Sequence, residues 1–342
     1  MKKFEFLIVC FKKSAAWSIL LLAVFPCSIF GQSEGSVQKL LSGLTIGSVP
    51  GDLLSTKTIA LYDPTFTNKE LEQIQSGFEK TGVDVVLYYP IDMPTCNQDV
   101  QKAFADYLAK REIKYIVFLQ KKTPELEFTF VEFCGTKELV KPGQPGWKIS
   151  GKTIQEISMD IFRTALNSQK RANILVSPMP EFDLKLRFIR GTRGEYFALD
   201  LNVDKLAIIK FGDEQMDKSL EEIFKSYYPF HYQFFEPGTE ETVIRQKGFL
   251  FVLSYIHTRG YPAMELLDYN MSKAGSAIAS VTYPNGQMQL KTNLAEEAVY
   301  KFYFKQLENG NIYLGTKWDA DTSWLQALLN QIKGLKAELR IK

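Results

Sequence analysis

The chain has 342 residues, 45% hydrophobic and 23% charged, an ordinary globular composition with length for two cores. Its formal charge of +2 is concentrated at the start: Lys2, Lys3, Lys12 and Lys13 against Glu5 give residues 1–31 a charge of +3, leaving −1 for the rest. A near-neutral body excludes a nucleic-acid binder that relies on a basic face meeting many phosphates.

The N-terminus reads as a bacterial Sec-type export signal. Four lysines precede an uncharged run from Ser14, with an apolar core over Trp17–Phe25. Small residues return at Ser28 and Gly31, which places cleavage after Gly31. That makes the mature protein periplasmic or secreted. The alternative is an uncut inner-membrane anchor, because Ser14–Ser33 is just long enough to span a bilayer. Pro26 and Ser28 argue against a good spanning helix. Cys27 also raises lipid attachment, although Pro26 before it suits that processing poorly. Membrane contact is expected only through this segment. Beyond it the chain keeps Cys96 and Cys134, an even number in an oxidising compartment, so a disulfide between them is expected.

After a lead-in over 32–56, a first α/β unit spans 57–170. Thr58–Tyr62 is a short apolar strand. Thr67-Asn68-Lys69-Glu70 is a capping box, followed by Leu71, Ile74 and Phe78 at helical spacing. Val83–Tyr89 is a buried strand, and Val100, Phe104, Tyr107 and Leu108 share a helix face. Tyr115–Leu119 is a third strand. Leu126–Phe133 alternates apolar and polar residues, which predicts an edge or half-exposed strand. Trp147–Ser150 and a helix over Ile154–Leu166 close the unit.

A structured connector, 171–204, contains strand-like Ile174–Val176 and Leu184–Ile189. The second unit, 205–342, repeats the order. Its predicted elements are strand Leu206–Ile209, helix Leu220–Phe224, strand Tyr232–Phe235, helical Glu241–Arg245 and strand Phe249–Leu253. Ala263–Tyr269 takes the place of the alternating strand. Two hairpins follow: Ile278–Tyr283 with Gln287–Lys291 around Asn285-Gly286, and Tyr300–Gln306 with Ile312–Gly315 around Asn309-Gly310. Trp324–Ile332 is a closing amphipathic helix. The fold class is therefore α/β: two tandem βαβα-type units with added antiparallel strands and hairpins, behind the export signal.

Gly146–Thr153 matches the phosphate-loop pattern G-x-x-x-x-G-K-[ST]. A true P-loop needs a strand before its first glycine, whereas Lys141-Pro142-Gly143-Gln144-Pro145 stands there. Trp147–Ser150 reads as the strand itself, and Thr153-Ile154-Gln155-Glu156 as a capping box. The two histidines, His231 and His257, form no recognisable pair with a nucleophile, and both read as structural or surface residues. No C-x-x-C, H-E-x-x-H or calcium-loop spacing occurs, so no cofactor or metal is expected. Asp319-Ala320-Asp321 reads as acid favouring the dipole of the helix that follows.

Two surfaces stand out as interaction candidates. One is the aromatic run Tyr227–Phe235, with Tyr228, Phe230 and Tyr232, set against a reading in which its rings are buried under helices. The other is the basic set Arg187 and Arg190 with Lys185 and Arg193. Alternation with Leu184, Leu186 and Phe188 puts Lys185 and Arg187 on the wet side of a strand. The sequence reads as a non-catalytic binding or assembly module of the cell envelope. Its expected partner is an envelope protein or cell-surface component, and a duplication of this kind often creates a cleft between its units. An exported hydrolase with dispersed carboxylates and, more remotely, a nucleotide-binding protein are the other readings.

Overall fold

A computed structural model describes residues 40–341, apart from 137, 169–171, 174, 175, 183 and 274. The signal region, its cleavage, the anchor and lipid alternatives, and the expected strand at Ile174–Leu175 lie outside the described residues.

The first half contains β1 (Thr45–Ile46), β2 (Lys57–Tyr62), α1 (Asn68–Thr81), β3 (Asp84–Pro90), α2 (Gln98–Lys110), β4 (Ile113–Lys122), β5 (Glu125–Glu132), β6 (Pro145–Gly151) and α3 (Ile154–Ser168). The second half contains β7 (Arg193–Gly194), β8 (Leu206–Ile209), α4 (Glu214–Tyr227), β9 (Tyr232–Phe235), α5 (Glu241–Gln246), β10 (Phe251–Arg259), α6 (Gly260–Leu266), β11 (Ala277–Thr282), β12 (Gln289–Leu294), β13 (Ala298–Gln306), β14 (Ile312–Tyr313) and α7 (Trp324–Glu338).

The strands form two six-stranded mixed sheets and a separate hairpin, β11-β12. The first sheet has the order β1-β6-β5-β4-β2-β3 and the second β7-β14-β13-β10-β8-β9. In the first, β2 lies between parallel β3 and β4, β5 and β6 follow antiparallel, and β1 closes parallel. In the second, β8 lies between parallel β9 and β10, β13 and β14 follow antiparallel, and β7 closes parallel. The two sheets share one topology, strand for strand.

Helix faces follow the apolar spacing. Leu71, Ile74 and Phe78 of α1 and Ile154, Ile157 and Ile161 of α3 cover one face of the first sheet. A Cβ on Gly77 would collide with Ser158, so glycine lets α1 and α3 approach closely. Phe224 of α4 and Leu328, Ile332 and Leu335 of α7 cover the corresponding face of the second sheet. Thr67 makes the expected capping box with Glu70.

The other faces meet in a shared core. It joins Leu87, Phe104 and Phe118 of the first half to Ile256, Tyr303 and Ile312 of the second. Polar bonds reinforce the seam. Asn97 Nδ2 donates to Tyr255 O (2.6 Å), and His257 N donates to Cys96 O (3.1 Å). Asp92 accepts from Thr258 Oγ1 (2.8 Å) and Arg259 Nε (2.8 Å). The cleft expected between the units is filled.

Several expectations are corrected. β5 is interior, because β4 and β6 pair with its two sides, and both its faces are covered: Phe128 and Phe130 on one side, Val131 on the other. Ala263–Tyr269 is not a strand. Gly260–Leu266 is helical and buries Ala263 and Leu266 at i, i+3, while β13 supplies the expected antiparallel neighbour. Leu184–Ile189 alternates as expected, with Lys185 and Arg187 outward, but pairs with no strand among the described residues. The hairpin β11-β12 pairs Thr282 with Gln289, so its connection is a longer loop than a two-residue Asn-Gly turn.

Candidate functional site

β6 is a strand from Pro145 to Gly151, bonded to β5 and touching β1. Its backbone is engaged in the sheet, which leaves no loop to cradle phosphate. Thr153 Oγ1 accepts from Glu156 N (3.2 Å), and Glu156 Oε2 accepts from Lys152 N (2.8 Å). The Lys-Thr pair of the apparent motif thus starts α3.

Cys96 and Cys134 are not joined in this structure. Cys96 lies in the shared core, where burial pushes its thiol well up. Cys134 is partly exposed, and its Sγ donates to Glu138 O (2.6 Å). Arg187 and Arg190 are exposed on the connector.

A cleft of about 360 Å3 opens beside α7, lined by Phe197, Tyr283, Leu314, Asp319 and Glu338 among others. Behind it lies a buried charge pair that sequence reasoning missed. The Lys301 side chain is 0% exposed, and its Nζ donates to Asp319 Oδ1 (2.6 Å), Gln331 Oε1 (2.7 Å) and Leu314 O (3.0 Å). Burial pushes the ammonium pKa down and the Asp319 carboxyl up, and the pair's mutual attraction opposes both shifts. The acid thus does more than face the helix dipole. Glu338 is likewise engaged, accepting from Phe197 N (2.6 Å) and Thr316 N (3.1 Å). Asp321 accepts from Ser323 N (3.0 Å) and Lys291 Nζ (2.9 Å) at the start of α7. These carboxylates tie loops to strands and a helix.

His257 is buried, its ring stacked on that of Tyr300 at 3.9 Å and 17°. Desolvation holds its pKa down at about 4, against a weaker pull from Asp92. His231 is exposed.

The aromatic run divides. Tyr228 belongs to the core, packed on Phe224 (5.2 Å between ring centroids), and is not a surface residue. Phe230, Tyr232 and Phe234 are half-buried. Tyr232 and Phe234 alternate onto the helix-covered face of β9, the edge strand, and pack on Phe224 at 5.3 and 6.1 Å. Alternation with exposed Gln233 and pairing to β8 in parallel explain this placement.

The two halves differ most at this edge. In the first sheet the equivalent strand, β3, is covered by the connector. Glu181 N donates to Val86 O (3.0 Å), and Tyr88 N donates to Glu181 O (2.8 Å). Phe182 stacks on Tyr88 at 5.1 Å and 10°. Among the described residues no strand covers β9. A half-exposed aromatic row beside an open edge offers main-chain bonds and apolar area together.

No protein-family model, no curated protein and no solved structure matches this chain.

Proposed function

We propose that this is an exported, non-catalytic binding module that meets an envelope protein or cell-surface component along the β9 edge. The observation that carries this reading is the contrast between two edges of one topology: β3 closed by Glu181 and Phe182, β9 open beneath Tyr232 and Phe234. The hydrolase reading has the cleft and the raised Asp319 carboxyl in its favour. Asp319 is held by Lys301, and both Glu338 oxygens are held by backbone amides, so neither acid has the mobility of a proton carrier.

Site-specific photo-crosslinking in the native host tests the reading. A photoreactive residue replacing exposed Gln233 should give a discrete adduct in the envelope fraction. The same residue replacing exposed Lys152, on the α3 N-terminus, should not. Equal yields at both positions, or none at Gln233, would overturn it.

A further inference from the structure

The covered edge of the first sheet shows in detail what an occupant of the open edge looks like. In β3, Val86 and Tyr88 turn a carbonyl and an amide outward on either side of Leu87. Glu181 satisfies both, lying parallel to the strand. Its carboxylate accepts from Arg111 Nη1 (2.6 Å) and Tyr107 OH (3.0 Å). Arg111 is the residue that caps the C-terminus of α2.

β9 reproduces these features. His231 O accepts from Leu206 N (3.0 Å) and Phe235 O accepts from Lys210 N (2.9 Å), so residues 231, 233 and 235 face β8. Tyr232 and Phe234 must then turn their amides and carbonyls outward, on either side of Gln233. Phe234 lies on the helix-covered side, as Tyr88 does, with its ring half-exposed. The residue that caps the C-terminus of α5, in the place of Arg111, is Lys247, also a cation. Its Nζ lies 5.2 Å from the Phe235 ring centroid, and it forms no ion pair among the described residues. The β12 edge also carries exposed apolar side chains, Leu290 and Leu294, but the first half has no counterpart to say what would cover it.

We infer that β9 takes an extended segment of a partner protein, parallel to the strand, through an acidic residue followed by an aromatic one. The acidic residue donates its amide to Tyr232 O and accepts from Phe234 N through its carbonyl. Its carboxylate reaches Lys247, and the next side chain stacks on Phe234. A proline before the acid, as Pro180 stands before Glu181, keeps the segment extended. This inference rests on the binding reading above and names the chemistry of its partner.

The probe is a fluorescent synthetic octapeptide with the chain's own covering sequence, Ser-Pro-Met-Pro-Glu-Phe-Asp-Leu, added to the full mature chain. Anisotropy should show saturable binding. Methylating the glutamate amide nitrogen of the peptide should weaken binding at least ten-fold. Lys247→Glu should weaken the unmodified peptide by a similar factor, and a peptide with lysine in place of glutamate should regain affinity for that variant. No saturable binding, binding that tolerates N-methylation, or binding indifferent to Lys247→Glu would overturn the inference. A Gln233 adduct with a failed peptide would leave the binding reading standing and remove only the partner chemistry. No Gln233 adduct with a successful peptide would do the reverse.

Discussion

His257 illustrates how one buried side chain sets a pH response. The unfolded chain binds a proton near pH 6.5, whereas the folded ring stays neutral down to about 4. Between these values the unfolded state holds more protons, so stability falls as the pH drops, by about 3 kcal/mol across the window. Urea unfolding at pH 7 and pH 4.5 should show this loss. His257→Phe keeps a ring on Tyr300 and removes the titration, so it should flatten most of the slope; an unchanged slope would assign the effect elsewhere. Neither the depth of His257 nor the burial of Lys301 was legible in the sequence. Lys301 and Lys305 alternate with Tyr300, Phe302 and Phe304, which reads as the wet side of a strand. Both lysines are buried, because acids distant in the chain reach them: Asp319 bonds Lys301, while Asp99 and Glu241 bond Lys305 (2.6 Å each). Alternation reports which side chains share a face, and only tertiary pairing decides whether that face is dry.

At the scale of elements, local chemistry was the better guide. The capping box at Thr67 and the start of α3 at Thr153 rest on short-range bonds that the sequence encodes directly, and the α3 start bounds the strand read at Trp147–Ser150 on its C-terminal side. The α3 cap gives a sharp test of the phosphate-loop resemblance. Thr153→Ala removes the acceptor for Glu156 N and should cost about 1 kcal/mol in chemical denaturation. Lys152→Ala removes an exposed side chain and should change stability by less than about 0.5 kcal/mol. A larger loss from the lysine than from the threonine would mean that this turn has been misread. The elements that sequence reasoning misplaced lack such local signals. β5 became interior because β6 returned beside it, and α6 replaced a strand because the antiparallel neighbour of β10 came from β13, far along the chain. The open edge of β9 was legible only as a dense aromatic run, since whether an edge is covered depends on a connector whose destination the sequence does not announce.

For the whole molecule, the repeated topology suggests two independent bodies, but the seam makes them one. Asp92 of the first half holds Thr258 and Arg259 of the second, so Asp92→Ala leaves Arg259 only its exposed partner, Glu296. The expected cost is about 3 kcal/mol. Because the core is shared, hydrogen exchange should accelerate together at the amides of β4 and β13. Faster exchange confined to one sheet would show that the halves unfold separately.

The filled seam also bears on how this protein can move. Clamshell proteins capture ligands by swinging two lobes about a hinge that few contacts cross. Here Ile256, Tyr303 and Ile312 interlock with Leu87, Phe104 and Phe118 where such a hinge would have to open. The two lobes cannot swing without exposing that apolar seam to water. The two halves therefore behave as one stiff body with the β9 edge left open, and a partner that arrives there must bring its own adaptability.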